Sequence, residues 1–157
     1  MKARLYLETT IPSYLVARRS RDLRLAADQE TTQQWWEAER HDYELFISQA
    51  VVFEVSRGDA NFATARLDHL REFPLLPRTS EASALITHLL ASGIIPAAAA
   101  DDAAHIGLAS AHGMDFLLTW NCRHINNHHI RVRLERACAA FGLVCPDICT
   151  PAELMKL

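Results

Sequence analysis

At 157 residues, 50% of them hydrophobic, the chain is long enough for one domain (residues 1–157) with a full core and too short for two. Its net charge of -3 excludes capture of a polyanion by the field of the whole molecule, so any nucleic-acid contact must be local. No apolar run approaches the roughly 20 residues that a bilayer crossing needs, and Met1–Leu7 leads directly into Glu8-Thr9-Thr10, so neither a membrane span nor a leader peptide is expected. Cys122, Cys138, Cys145 and Cys149 include no paired CxxC unit, which points to reduced thiols and a cytoplasmic protein. Arginine supplies 14 of the 16 basic residues, gathered at Arg18, Arg19, Arg21 and Arg24 and again at Arg131, Arg133 and Arg136. These suit either bidentate phosphate contacts or solvated helix faces.

In chain order, Ala3–Leu7 is short and apolar enough for a buried first strand, and Pro12 marks a helix start. Residues 22–40 lack Gly and Pro and carry Leu25, Ala26, Trp35 and Trp36 among charges, which predicts one long helix. Adjacent helical residues point about 100° apart, so Trp35 and Trp36 are not both expected deep in one core; core packing is the expectation for either alone, with a subunit interface as the alternative for the other. A second strand follows over residues 44–48, then a helix from Ala50 to Arg57 stopped by Gly58, and another begun by Asp59 and running through residues 61–73. Pro74 and Pro77 bracket a brief Leu75-Leu76 strand. Ser80 opens a helix that runs to Gly93, and Pro96 opens one that runs through His112. Phe116–Thr119 is the clearest strand. A polar loop, a helix over residues 130–141, a last strand near residues 143–145 and a short helix over residues 151–155 complete the chain.

Strands separated by helices of this length make βαβ units, so the expected architecture is α/β with a mainly parallel sheet covered by helices. Ligands then sit beyond the carboxyl ends of the strands, where Glu8 and Asn121 fall. Asp102 shares a helix face with Ile106 and Ala109, which makes it the inward acid, whereas Asp101 suits the helix dipole. Glu54 lies within the apolar run Val51-Val52-Phe53-Glu54-Val55, with a pair to Arg57 as the plainer alternative. For Glu8 the plainer alternative is a helix-capping carboxylate. Carboxylates drawn from separate elements suit a hard cation such as Mg2+ or Mn2+, which activates water and a phosphoryl oxygen.

With those residues in hand, the chain resembles the PIN-domain family over nearly its full length, close in pattern to toxins of the VapC type. The matching elements are Tyr6-Leu7-Glu8-Thr9-Thr10 after the first strand, Ser48 heading the helix to Glu54, Asp102-Ala103-Ala104-His105-Ile106, and the strand ending Thr119-Trp120-Asn121. The resemblance implies a three-layer α/β/α domain, Mg2+- or Mn2+-dependent ribonuclease activity on RNA, homodimers, and in toxin members inhibition by a small cognate antitoxin. It implies that Glu8, Glu54, Asp102 and Asn121 hold one or two ions, while Thr9 and Thr119 position a water or phosphate oxygen. Two departures stand out: Glu8 replaces the family's usual Asp, and Asn121 stands where an Asp is frequent, which removes a negative charge. The competing function is therefore a catalytically degenerate PIN-like module that binds RNA or protein.

Other chemistries fit less well. His124, His128 and His129 with Cys122 lack the paired spacing of a structural zinc site and suit a surface loop. The five glycines form no phosphate cradle, and no G-x-S-x-G elbow occurs.

Overall fold

The apolar runs expected to be strands lie side by side in one sheet. In the computed structural model, which describes residues 1–156, β1 is Ala3–Leu7, β2 Tyr43–Ser48, β3 Leu75–Leu76, β4 Phe116–Leu118 and β5 Asp147–Cys149. Their order is β3-β2-β1-β4-β5 and every neighbouring pair is parallel; Leu5 sits opposite Leu45 on one side and Phe116 on the other. The central β1 buries Leu5, Tyr6 and Leu7 completely, as a strand covered on both faces must.

The helices are α1 Thr10–Val16, α2 Leu23–Ala38, α3 Gln49–Val55, α4 Ala60–Leu70, α5 Ser80–Ala91, α6 Ala100–Ala111, α7 His128–Ala140 and α8 Pro151–Leu154. The chain moves outward from β1 to β3, then crosses back to β4 and β5. Right-handed crossovers therefore place the two sets of helices on opposite faces. The packing agrees, with α1, α2, α4 and α8 forming one group and α5, α6 and α7 the other, while α3 touches both α4 and α6. This is the three-layer α/β/α arrangement. Short polar side chains begin most helices: Asp22, Ser48, Asp59, Thr79, Asn127 and Thr150 each accept a hydrogen bond from a first-turn N–H.

Three expectations are corrected. The last strand is Asp147–Cys149, not residues 143–145. Gly142 takes a positive φ of 71° and Leu143 N–H donates to the Cys138 carbonyl, so this stretch is consumed in closing α7. Pro146 then has no N–H for a ladder. Second, Pro96 is followed by a 3-10 turn at Ala97–Ala99 before α6 begins. Third, Trp35 and Trp36 are both buried, at 0% and 6% exposure. Their rings diverge, but each finds its own cover: Trp35 packs on Tyr43, and Trp36 meets His69, Phe73 and the Arg40 guanidinium. The pair thus gives no reason to invoke a second subunit.

Among the described residues no helix is long and apolar enough to cross a membrane. Cys122, Cys138, Cys145 and Cys149 are free.

Candidate active site

β1 and β4 are adjacent, and the connections leaving them run to opposite sides of the sheet, which opens a crevice at their carboxyl ends. Glu8 stands there, with its backbone N–H bonded to the Leu118 carbonyl. Its carboxylate is buried, and Oε2 accepts from Thr10 N (3.0 Å), Thr10 Oγ1 (2.5 Å) and Thr119 Oγ1 (2.8 Å). Burial pushes the Glu8 carboxyl above its ordinary range despite the His105 charge and these donors. The capping alternative is thus partly realised, since Glu8 tethers the first turn of α1.

Glu54, on α3, bonds the buried His105 of α6 through Nε2 and accepts from Thr9 Oγ1 at 3.2 Å. Arg57 does not take the Glu54 carboxylate; it lies over Phe53 and pairs with Asp101 at 3.6 Å. For Glu54 burial is the largest single influence and acts upward, but His105, Thr9 and Arg57 together hold its carboxyl below the ordinary value. His105 is the complement. Burial opposes its charge most strongly, yet the bond to Glu54 and the fields of Glu8, Glu54 and Asp102 raise its pKa. Its Nδ1 lies 2.7 Å from Tyr6 Oη, which is in turn 2.7 Å from Ser48 Oγ. With both ring nitrogens donating, Tyr6 receives one bond and passes its own proton toward Ser48; burial keeps the phenol protonated.

Asp102 is the inward acid, with a side chain 16% exposed against 52% for Asp101, and its Oδ2 lies 3.0 Å from His124 Nδ1. Asn121 serves that pairing. Its Oδ1 accepts from His124 N–H at 3.0 Å, and its own N–H donates to Thr119 Oγ1 at 2.9 Å. Trp120 fixes the same loop by donating from its backbone to Thr10 Oγ1 and from its indole to Thr32 Oγ1, while its ring stacks on Tyr14.

Of the six residues picked from sequence, Glu8, Thr119, Asn121 and Asp102 are joined through hydrogen bonds that include His124, while Glu54 and Thr9 form a second group with His105; three of the six carry bonds that give them positioning tasks. Thr119 is buried and its hydroxyl is shared between Glu8 and Asn121, so it orients a carboxylate instead of holding water or phosphate. Thr9 likewise orients Glu54, and the Asn121 side-chain oxygen caps the loop. Tyr6, Thr10, Ser48, His105 and His124 are not among the residues expected to act in the site, although Ser48 is expected to head its helix and His124 belongs to the histidine cluster weighed for zinc. His105 was discoverable, because an imidazole three residues after Asp102 falls on the same helix face. His124, set in a polar loop, carried no such signal. Of the second arginine group, Arg131 is structural and donates to Asn126 Oδ1 and the Ile148 carbonyl. The His124, His128, His129 and Cys122 cluster is dispersed, with His124 on Asp102 and the other three exposed.

Among the described residues, no three His, Cys, Asp or Glu side chains form a ready-made metal cage. The donor set nonetheless suits a hard cation. Glu8, Glu54 and Asp102 each hydrogen-bond through a single oxygen, so Glu8 Oε1, Glu54 Oε2 and Asp102 Oδ1 have no such partner among the described residues. Magnesium takes one or two carboxylates and completes its shell with water and substrate phosphate, so it needs no closed cage.

Compared with known proteins, the sequence matches no family model and no curated relative.

Proposed function

We propose that the chain is a divalent-metal-dependent ribonuclease of the PIN type, hydrolysing RNA phosphodiester bonds. The observation that carries this reading is the placement of Glu8, Glu54 and Asp102 about the crevice at the switch point of a parallel sheet, each with one carboxylate oxygen held by neighbouring donors and the other without such a partner among the described residues. Three acids from three elements, with one imidazole among them, leave a negative crevice that favours a cation. Glu54 and Asp102 are the principal holders of Mg2+ or Mn2+, and Glu8 contributes from the strand end. The chemistry such an ion supplies is Lewis-acid activation of the phosphodiester and of the attacking water. The chain's own residues set the geometry: Thr9 and His105 hold Glu54, Thr10 and Thr119 hold Glu8, and Asn121 steers His124 onto Asp102. The PIN resemblance extends the proposal to a homodimer and to the toxin of a toxin–antitoxin pair, for which a small co-purifying chain from the native host is the check.

A non-catalytic RNA-binding module is the second reading, favoured because histidines already occupy one oxygen of two of the carboxylates and Asn121 adds no charge. The experiment is cleavage of a mixed fluorescent RNA pool in MnCl2, with and without EDTA. Cleavage is expected only with metal, and Glu54→Gln and Asp102→Asn should each slow it at least about a hundredfold. Unchanged turnover in both variants removes the mechanism. Thermal stabilisation by manganese without cleavage favours the binding module.

A further inference from the structure

We infer that the cavity between α3 and α6, the helices that carry Glu54 and Asp102, binds a single unstacked nucleobase of the RNA strand; this rests on the ribonuclease reading and names its substrate subsite. The cavity holds about 380 Å³ and lies where α3 meets α6. Gln49, Phe53, Arg78 and Asp101 line it together with the apolar Leu76 and Leu108. Phe53 immediately precedes Glu54, and Asp101 immediately precedes Asp102, so its walls are the two helices that carry the acids.

Phe53 is the unusual feature. It is 61% exposed on a helix whose Val51 and Val55 are fully buried, so its ring is on the solvent side of α3. Arg57 lies 4.6 Å from the ring centroid and is itself tied to Asp101 at 3.6 Å, which steadies the ring. A ring held on one face by Arg57, lining the cavity with Leu76 and Leu108, offers its other face as a platform for the flat face of a base. The rim supplies the edge chemistry: the Gln49 amide donates and accepts, Asp101 accepts from an exocyclic amino group, and Arg78 donates. Arg78 is held through Nε by Ser83 Oγ at 3.0 Å, so its terminal nitrogens are directed while remaining available. The Asp101 carboxylate disfavours a phosphate inside the cavity. The size, near the lower end of small-ligand pockets, suits one base.

The test is equilibrium binding in EDTA, where cleavage is off, using fluorescein-labelled single-stranded oligomers of A, C or U and an abasic strand of equal length. Wild type should bind at least one base-bearing strand more tightly than the abasic one. Phe53→Ala should weaken that strand by about 5- to 150-fold and leave the abasic strand unchanged. Phe53→Leu, which keeps apolar bulk without the ring, should lose the same preference while melting near the wild-type temperature. Wild-type affinity in either folded variant, or an equal loss on the abasic strand, overturns the proposal. Cleavage in manganese, measured separately, distinguishes the two failures: cleavage without Phe53-dependent binding leaves the nuclease and removes the subsite, and Phe53-dependent binding without cleavage does the reverse.

Discussion

His105 has no exposed surface, yet three carboxylates act on it, and the balance decides its charge. Burial is the strongest influence and favours the neutral ring; the Glu54 bond and the fields of Glu8, Glu54 and Asp102 outweigh it, so the folded pKa stands above the ordinary 6.5. The folded chain then holds this proton more tightly than the unfolded chain. Its contribution is complete below about pH 6.5 and disappears as pH rises through the folded value. Glu8, with its raised pKa, also makes stability fall with rising pH, starting above its ordinary 4.5. Glu54 is opposite: its lowered pKa gives stability that is present above 4.5 and lost in acid. In metal-free protein, His105→Gln should cost about 3 kcal/mol near pH 6, because it leaves the Glu54 carboxylate without a charged partner, and the cost should shrink as pH rises above 6.5. Urea unfolding across that range reads it. Parallel pH profiles for wild type and variant would show a neutral imidazole instead.

Among the elements, α6 packs directly on α5, and Gly107 permits the contact. A Cβ there would run into Ile86 Cγ1 and lie 3.2 Å from the Ala82 carbonyl oxygen. Glycine costs an interior helix position about 1 kcal/mol relative to alanine, so on propensity alone Gly107→Ala would stabilise the chain. The overpacking penalty of about 1–3 kcal/mol opposes this. Since the clash involves a branch carbon next to the backbone and not a flexible tip, the penalty should win, and thermal melting should show a lower midpoint. Combined with Ile86→Ala, the two costs should be less than additive. A midpoint raised by Gly107→Ala alone would mean that the helices part without strain. The contact bears on function because α6 carries Asp102 and His105 and α5 sets where that helix lies on the sheet.

For the molecule as a whole, the sheet order β3-β2-β1-β4-β5 brings Glu8 and Thr119 together although they are 111 residues apart in sequence. The same packing buries Trp35 and Trp36 within one chain. The position of the tryptophan emission maximum should therefore stay constant on dilution from micromolar to nanomolar protein. A red shift on dilution would mean that a second copy covers the pair.

The sequence alone determined the alternation of strands and helices, the parallel sheet, and the acids Glu8, Glu54 and Asp102, since these follow from short-range signals: apolar runs, capping residues, and a carboxylate on an apolar face. Its one misplaced strand, at residues 143–145, arose because Leu143 is as apolar as a strand residue, and only the left-handed Gly142 turn at the end of α7 claims it. What the tertiary structure alone decided is which donor meets which acid. Thr119 on Glu8, His105 on Glu54 and His124 on Asp102 are partners across crossovers of 111, 51 and 22 residues, and the burial of both tryptophans depends on covers from distant elements. No local periodicity encodes such pairings. Each is set by where the right-handed connections lay one helix against another, and in a buried crevice that placement moves the titration of Glu8, Glu54 and His105.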